Sequence, residues 1–325
     1  MVVFMFRAWW VGRRLPKLVP EIGKPDVVIG SSAHLLTPLA GYWVARRFRV
    51  PFLMEVRDLW PQTIIDMGEL SANHPIIRAL QALERFLYRR AERIIVLGPQ
   101  MREYITARGV SRERIVWIPN GVDLTRFKSA AMPEMSHEGF QVIYLGAHGQ
   151  SNALDVLIQA AKIVQDRGYR EIRFVLVGDG PEKPRLIALA EELKLRNVEF
   201  RDPVPKAEAP KTLHEADALV ITVESAFFIY GGSINKLSDY MAANKPLIFS
   251  GKALYNPVEE AHCGLTVPPR DPEALAEAVI QLYRMPPEER AELGKRGRDY
   301  VEKYHDIRKL AEHLEEVLHS VVCSP

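Results

Sequence analysis

Two series of short apolar runs, each alternating with helical patterns, constrain the fold of this chain more than any other feature. The runs of the first series are rich in valine, isoleucine, leucine or phenylalanine and lie at residues 25–30, 51–56, 93–97 and 115–118. Helical patterns at 36–48 and about 74–91 separate them. Apolar strands that alternate with helices are typical of a parallel sheet covered on both faces. The first series therefore predicts a Rossmann-like domain.

The second series predicts another such domain. Its apolar runs lie at residues 141–146, 173–178, 198–200, 218–222 and 246–249. The chain from about residue 273 is helical nearly to its end, with apolar positions at Leu310, Leu314, Val317 and Leu318. We expect an α/β protein of two doubly wound domains, divided into 1–127, a linker at 128–139, 140–297, and a final helix at 298–325 that returns to the first domain.

Composition narrows the classes of function. The net charge is +2 with both signs interspersed, which gives no reason to expect nucleic-acid binding. The two cysteines, Cys263 and Cys323, have no metal-ligand spacing and predict no disulfide framework, so a reducing cytoplasm is expected. No run of about 18 apolar residues is present that could span a bilayer.

The first 20 residues combine apolar and basic side chains but lack the residue order of a secretion signal. They predict a helix that carries Trp9, Trp10, Arg13, Arg14 and Lys17. Two interpretations remain open, a helix lying on an anionic membrane surface and a core helix with a basic outer edge. The first implies a peripheral contact with the inner face of the cell membrane.

The segment from Tyr230 to Met241 indicates an anion site. Gly231, Gly232 and Ser233 allow close approach of a ligand to the backbone, and a helix begins near Asn235 with its unpaired N–H groups directed at that ligand. Lys236 in the first helical turn is unfavourable for the helix dipole, which indicates an anionic partner from outside the chain. Asp239 follows on the same face, where its carboxylate could accept hydrogen bonds from ribose hydroxyls. The alternative is a surface Lys/Asp pair after a flexible loop.

The sequence YGGSINKLSDYMAANKPLI resembles the donor-binding signature of glycosyltransferase family 4, in the branch of O-antigen and colanic-acid enzymes. The wider family carries two glutamates here, and matching the landmarks places Asp239 at the second and Gly231 at the first. The first acid is therefore absent from this chain. The resemblance implies that Gly231, Gly232, Ser233, Asn235, Lys236 and Asp239 bind the donor.

Three further segments fit the resemblance. Gly146, His148 and Gly149 follow the first strand of the second domain, where such a sheet meets phosphate or sugar. The family's two basic residues of this region are replaced by Ala147 and Asn152, which leaves Lys236 as the main phosphate cation unless Lys183, Arg185 or Lys206 reaches the site. The loop at Arg201 resembles the one that flanks the nucleotide base. Asn120 belongs to a PNGVD loop whose expected role is structural, with Asn120 near the acceptor as the alternative.

Charged residues also follow a strand of the first domain. Arg57 and Asp58 come directly after the apolar run at 51–56, where Arg57 could hold a phosphate and Asp58 could orient a sugar hydroxyl. The alternative is an Arg/Asp pair that pins the loop. His34 follows the run at 25–30 and is a candidate for the acceptor side.

The resemblance implies a retaining transferase of GT-B architecture, with its two domains facing a cleft. It uses a nucleotide diphosphate sugar, UDP-linked by expectation, and needs neither a metal nor another cofactor. Its acceptor is expected to be a lipid-linked or other saccharide of cell-surface polysaccharide synthesis, and its catalytic residues Arg57, Asp58, His148 and Lys236. Relative to the family, the first domain is expected to be shorter by roughly half a Rossmann domain. Two alternatives remain, a non-catalytic nucleotide-sugar-binding remnant and a nucleotide-sugar 2-epimerase of the same architecture.

Overall fold

A computed structural model describes residues 2–66, 68–129, 138–224 and 235–323 of the chain. Within these ranges the side chains of Ile22, Lys128, Ser129 and Asn235 are not described. By their internal contacts the described residues fall into two units, 2–119 with 309–323 and 120–224 with 235–308. The division falls after Pro119 and not after residue 127, because Val122, Leu124 and Phe127 pack in a core of the second unit.

The strands are β1 (Val28–Ser31), β2 (Phe52–Val56), β3 (Arg93–Val96), β4 (Ile115–Trp117), β5 (Phe140–Leu145), β6 (Ile172–Val177), β7 (Val198–Arg201), β8 (Ala218–Thr222), β9 (Leu247–Ser250) and β10 (Gly264–Val267). The helices are α1 (Val2–Gly12), α2 (Leu15–Leu18), α3 (Leu36–Phe48), α4 (Gln62–Asp66), α5 (Pro75–Arg90), α6 (Met101–Thr106), α7 (Thr125–Ser129), α8 (Leu154–Asp166), α9 (Lys183–Glu192), α10 (Ala209–His214), α11 (Asn235–Ala242), α12 (Pro257–Glu260), α13 (Pro272–Arg284), α14 (Pro287–Tyr304) and α15 (Ile307–Val322). Single 3-10 turns occur at Pro20–Ile22, Arg112–Arg114 and Gln150–Asn152.

The first unit is built on a parallel sheet in the order β1-β2-β3-β4. Because alternate side chains of a strand point to opposite faces, Met54 packs in one apolar cluster with Leu87 and Ile94, whereas Leu53 packs in the other with Ile95. Both faces are therefore covered, as the continuous apolar runs predict. Val317, with the partly buried Leu310, Leu314 and Leu318, contributes to the second cluster from α15, which confirms the apolar spacing of that helix.

Helix α1 packs against α3, where the rings of Trp9 and Trp43 meet edge to face at 6.2 Å. Only Met5 of the helix is buried. The exposed side chains include Val2, Val3, Phe4, Phe6, Trp10 and Val11. The interpretation as a core helix is therefore wrong, and the helix presents an apolar surface followed by basic residues.

The second unit holds a parallel sheet in the order β10-β9-β8-β5-β6-β7. The chain runs outward from β5 through β6 to β7, returns to β8 beside β5, and then runs outward the other way. Two apolar clusters cover the two faces, one around Phe174 and Ile248 and the other around Val175 and Phe249. A sheet that is wound in both directions has a switch point between β5 and β8, where ligands of such folds bind.

Each apolar run of the two sequence series forms a strand, which confirms the predicted α/β class with two Rossmann-like parallel sheets. The second sheet is doubly wound as predicted, whereas the described strands of the first, in the order β1-β2-β3-β4, are wound in one direction only. Strand β10 was not predicted, because it is short and begins with Gly264, which weakens a strand pattern. The predicted linker at 128–139 lies mostly outside the described residues. No helix within the described ranges combines the length and the apolar character that a bilayer crossing requires.

Candidate active site

The candidate site lies at the switch point of the second sheet. Strand β5 ends at Leu145 and is followed by a loop from Gly146 to Ala153, and β8 ends beside this loop at Thr222. The Thr222 hydroxyl donates a hydrogen bond to the carbonyl oxygen of Asn152, which ties the loop to the end of β8. Helix α11 begins in the same place and brings Lys236 to the loop.

The ammonium group of Lys236 is held by two neutral oxygens. Its Nζ donates to the Tyr144 hydroxyl at 2.8 Å and to Oδ1 of Asn152 at 2.6 Å. An alanine Cβ built at Gly146 would lie 3.2 Å from the same Nζ, so the backbone after β5 passes close to the cation. Burial lowers the pKa of Lys236 to about 8, because the charged form loses hydration.

A second contact fixes the register of α11 against the sheet. Tyr240 is buried, and its hydroxyl accepts a hydrogen bond from the Leu145 backbone N–H at 2.6 Å and donates to the Leu145 carbonyl oxygen at 2.9 Å. One side chain thus satisfies both backbone groups at the end of β5. The first turn of α11 is therefore set relative to the loop that carries Asn152.

The ends of β5 and β6 approach closely beneath the site. Gly178 has φ +145°, and a Cβ on it would lie 2.0 Å from the Gly146 carbonyl oxygen, so only glycine fits there. Lys183 donates to the carbonyl oxygens of Gly178 and Arg201 at 2.9 and 3.2 Å. The Lys183 ammonium thus joins the ends of β6 and β7 instead of extending into the loop after β5.

His148 is completely buried below the turn at 179–182. Its backbone N–H donates to the Asp179 carbonyl oxygen, and its own carbonyl oxygen accepts from the Glu182 N–H. Neither ring nitrogen has a hydrogen-bond partner among the described residues. Burial, reinforced by nearby Lys183, lowers the pKa of His148, which favours the neutral ring. Its catalytic role stays a prediction.

Asp239 lies one turn after Lys236 and lines an open pocket of about 810 Å³. The pocket is lined by Asn120, Gly121, Val122, Asp123, Arg126, Lys206, Ala207, Asp239 and Ile307. Arg126 Nη1 lies 3.8 Å from the Asp239 carboxylate. Burial raises the pKa of Asp239, and the positive charges of Arg126 and Lys206 oppose that rise. The pocket thus combines two carboxylates, those of Asp123 and Asp239, with two cations, Arg126 and Lys206.

The other predicted donor residues of the second unit are placed as follows. Arg201 pairs with Glu199 at 2.7 Å and Glu215 at 3.2 Å, so its guanidinium is engaged by carboxylates of its own unit. Arg185 pairs with Glu182. Gly149 follows His148 in the loop after β5. Gly231, Gly232, Ser233 and the side chain of Asn235 lie outside the described residues.

Asn120 is placed in the second unit by a contact with the C-terminal segment. Its carbonyl oxygen lies 2.9 Å from Nδ1 of His305, and Val122 pairs with Asp306 in a parallel bridge. Its backbone is thus used structurally, as expected for the PNGVD loop, and the same residue lines the pocket of Asp239.

The first unit brings its candidates to one edge of its sheet. The hydroxyl of Ser32, a buried residue, follows β1 and accepts a hydrogen bond from the Arg57 backbone N–H at 3.2 Å, which links the ends of β1 and β2. Arg57 and Asp58 are exposed, and desolvation by the surrounding protein raises the pKa of Asp58, opposed by Arg57. His34 is half-buried, with Nδ1 3.4 Å from the Thr37 hydroxyl.

Sequence reasoning missed Tyr144, Tyr240 and Arg126, and it treated Asn152 only as the absence of a basic residue. Their partners are distant along the chain, with 92 and 84 residues separating Lys236 from Tyr144 and Asn152. The one available signal was the tyrosine in β5, because a polar atom inside an apolar run needs a partner.

The comparisons with known proteins agree with this geometry. The family model described as "Glycosyl transferase 4-like domain" matches residues 2–121, and the one described as "Glycosyl transferases group 1" matches residues 139–285. Together they span both units. The structure of Anabaena Alr3699/HepE in complex with UDP superposes with a TM-score of 0.74 at 16% identity, covering 94% of this chain and 82% of that one. Sucrose-phosphate synthase from Thermosynechococcus elongatus gives a TM-score of 0.71 at 20% identity, covering 95% of this chain and 78% of that one.

Curated relatives give the same result from sequence. The probable glycosyltransferase WbjE of Pseudomonas aeruginosa is 24% identical over 283 residues, which cover 83% of this chain and 69% of that protein. The putative colanic acid biosynthesis glycosyltransferase WcaL of Escherichia coli (strain K12) is 27% identical over 231 residues, which cover 69% of this chain and 55% of that protein. The matched part of these relatives is thus between about half and two thirds of their length.

Two parallel-sheet units, both matched by glycosyltransferase models, define a glycosyltransferase of the GT-B class. Within that class the chain belongs to glycosyltransferase family 4, and its relatives include two proteins named as putative colanic acid biosynthesis glycosyltransferases. The predicted family and architecture are confirmed. The roles of individual residues stay predictions.

Proposed function

We propose that this chain transfers a sugar, with retention of its anomeric configuration, from a UDP-linked donor to a lipid-linked or other saccharide acceptor of cell-surface polysaccharide synthesis. The observation that carries the proposal is the ammonium of Lys236 at the switch point of the second sheet. A half-buried cation at a helix N-terminus, with neutral partners only among the described residues, has the chemistry of a diphosphate site. Anabaena Alr3699/HepE, which shares the fold, was crystallised with UDP and glucose.

The proposed reaction needs stabilisation of a leaving diphosphate. The bond between the sugar C1 and the β-phosphate oxygen breaks, and the acceptor hydroxyl oxygen forms a bond to C1 on the same face. The hydroxyl proton passes to the departing phosphate, so the products are the glycosylated acceptor and UDP. Lys236 and the first turn of α11 would stabilise the negative charge that develops on the phosphate, and we propose that no metal or other cofactor is required.

Acceptor binding is assigned to the strand ends of the first unit. His34, Arg57 and Asp58 offer a mixed set of donors and acceptors at one edge of the sheet, linked through Ser32. Such side chains suit hydroxyl groups or a phosphate of a lipid-linked saccharide. In this proposal Asp58 orients the acceptor hydroxyl, and Arg57 neutralises an acceptor phosphate.

We also propose that the chain works at the cytoplasmic face of a membrane through α1. The helix exposes Phe4 by 56% and Phe6 by 52%, and it is followed by Arg13 and Arg14, whose guanidinium groups stack on Trp9 and Trp10. Apolar, tryptophan-bearing helices with basic flanks bind anionic lipid surfaces. The protein should float with vesicles that contain phosphatidylglycerol, and Arg13→Glu/Arg14→Glu should reduce that flotation. Equal flotation with neutral vesicles would contradict the contribution of Arg13 and Arg14 to binding of an anionic membrane surface.

The activity is tested in two steps. UDP, GDP and uridine are titrated calorimetrically, and UDP-glucose is then incubated with a lipid-linked saccharide extracted from the source organism's membranes. We expect UDP to bind much more tightly than uridine, and the product to keep the anomeric configuration of the donor in its NMR spectrum.

Two outcomes would overturn the proposal in different ways. UDP binding without transfer to any saccharide would favour a nucleotide-sugar-binding remnant. Conversion of a UDP-sugar to its 2-epimer without an acceptor would identify an epimerase. An inverted product would refute retention while leaving the transferase assignment intact.

A further inference from the structure

Asn152 is bonded through both halves of its amide. Its Nδ2 donates to the Ala147 carbonyl oxygen at 2.9 Å, and its Oδ1 accepts from the Lys236 ammonium at 2.6 Å. The Tyr144 hydroxyl has the same two neighbours, because it donates to the Ala147 carbonyl oxygen at 2.8 Å and accepts from Lys236 at 2.8 Å. Asn152 and Tyr144 thus form two parallel hydrogen-bonded connections, or arms, between the Ala147 carbonyl oxygen and the Lys236 ammonium.

These two arms set the direction of the cation. An ammonium group has three N–H donors, and two of them point to Tyr144 and Asn152. Because both acceptors are themselves fixed by Ala147, the third N–H has a defined direction. Among the described residues, no carboxylate lies within ion-pairing distance of Lys236, so its charge is not compensated by the surrounding protein.

We propose that Asn152 is a positioning residue for the donor diphosphate, which directs the ammonium of Lys236 by a neutral contact and keeps that charge available for phosphate. The inference rests on the proposed function, since it names a further residue of the same donor site. An aspartate of the same shape would also accept from the ammonium, but it would neutralise the charge and would have no N–H to donate to Ala147. The neutrality of the amide is therefore the functional property.

The groups around Lys236 define the expected pH dependence. Tyr144 on β5 and His148 in the loop after it are the titratable groups of the neighbouring segment, and Asp239 lies on α11 itself. Burial raises the pKa of Tyr144 and lowers that of His148, so both are neutral near pH 7. Lys236, whose pKa burial lowers to about 8, is thus the cation that titrates in the mildly alkaline range.

The test measures UDP and uridine affinity between about pH 6.5 and about pH 9.5. For the unmodified chain, UDP affinity should fall above about pH 8, because the phosphate binds the protonated lysine. Uridine, which has no phosphate, should show no such fall near that pH, and it serves as the reference for ionisation of the uracil N3–H at the alkaline end of the range. We call the pH at which UDP affinity begins to fall the break. Asn152→Asp should lower UDP affinity at pH 7 about tenfold, because the added carboxylate neutralises the ammonium. It should also move the break to higher pH, because the carboxylate stabilises the protonated lysine.

Two further variants complete the test. Gln150→Glu adds the same charge in the same loop on an exposed side chain, and it should change UDP affinity less than about twofold without moving the break. Tyr144→Phe removes the other oxygen from the ammonium, so the break should move to lower pH. If Asn152→Asp does not fold, Asn152→Ala takes its place: loss of the amide oxygen should move the break to lower pH, and an unchanged break would refute the inference.

The outcomes separate the inference from the function on which it rests. If the unmodified chain binds neither UDP nor GDP, the proposed function and the inference both fall. If it binds UDP but Asn152→Asp weakens binding equally at every pH, the role of Asn152 is only structural and the inference alone is refuted. The inference expects the break to move to higher pH in Asn152→Asp and to lower pH in Tyr144→Phe, because each variant changes how strongly the neighbours of Lys236 stabilise its ammonium.

Discussion

The strand-end sites of the two units are built in opposite ways. In the second unit, Lys236 is bonded to Tyr144 and Asn152, and Tyr240 anchors the helix that carries it. In the first unit, Arg57 and Asp58 are exposed, and the loop is fixed through a backbone contact to Ser32. Preset buried contacts suit a ligand part that never changes, such as a diphosphate, whereas exposed loop side chains suit a part that varies between enzymes.

The strongest test of this contrast is Lys236→Ala. Loss of a charged hydrogen bond to phosphate should cost about 2 to 3 kcal/mol, which is roughly a 30- to 150-fold loss of UDP affinity. Uridine lacks the phosphate, so its affinity should change less than about twofold. Lys162→Ala removes the same charge from a surface pair with Asp166 and serves as the control in calorimetry. Equal losses for UDP and uridine would remove the phosphate role of Lys236.

Arg57→Ala tests the opposite side of the contrast. The transfer rate, measured as kcat/KM for the acceptor, should fall about tenfold or more, a change of about 1.4 kcal/mol. UDP affinity should stay the same, because the residue belongs to the other unit. Arg112→Ala, at an exposed pair with Glu103, is the matched control. A parallel loss of UDP affinity would assign Arg57 to the donor instead.

Tyr240→Phe should destabilise the second unit by about 1 to 2 kcal/mol, because the Leu145 N–H and carbonyl groups both lose the partner that this hydroxyl supplies. Urea denaturation measures the change. Tyr283→Phe removes a solvent-exposed hydrogen bond to Glu171 and should change stability by less than about 0.5 kcal/mol. Similar values for the two variants would show that the bond to Leu145 does not hold the helix in place.

Asp239→Asn should have the smallest effect on binding, about a three- to fivefold loss of UDP affinity, or about 0.6 to 1 kcal/mol. If the Asp239 carboxylate contacts the ribose, a UDP analogue that lacks the ribose hydroxyls should bind the parent chain and Asp239→Asn equally well. Burial raises the pKa of Asp239, so its ionisation costs stability as pH rises through the raised value. Asp239→Asn should therefore be at least as stable as the parent chain at pH 7. A clear loss of stability would show that Arg126 and Lys206 stabilise the Asp239 carboxylate by more than its burial costs.

The fold was predictable because both faces of each sheet are covered, which makes the central strands continuous apolar runs such as Ala218–Thr222. The place of Lys236 in the first turn of a helix was predictable too, whereas its role toward phosphate stays a prediction. Both signals lie within a few neighbouring residues.

The support of Lys236 could not be predicted in the same way. Asn152 and Tyr144 meet the lysine only when β5 and β8 become neighbours in the sheet, so the local sequence, which indicates that Tyr144 needs a partner, does not identify that partner. His148 is a related case, because the turn at 179–182 buries a residue that sequence alone places in a solvated loop. The surroundings of Asn152, Tyr144 and His148 thus depend on segments that are distant in the sequence.

The environment of Lys236 also links binding of nucleotide at the proposed donor site to the lifetime of the protein. Among the described residues the ammonium of Lys236 has only neutral partners, so its partial removal from water costs free energy, and a diphosphate bound as proposed would offset that cost. The second unit should therefore resist local opening and proteolysis better when nucleotide is abundant. Starvation for nucleotide sugars would then shorten the life of the enzyme as well as slow its turnover.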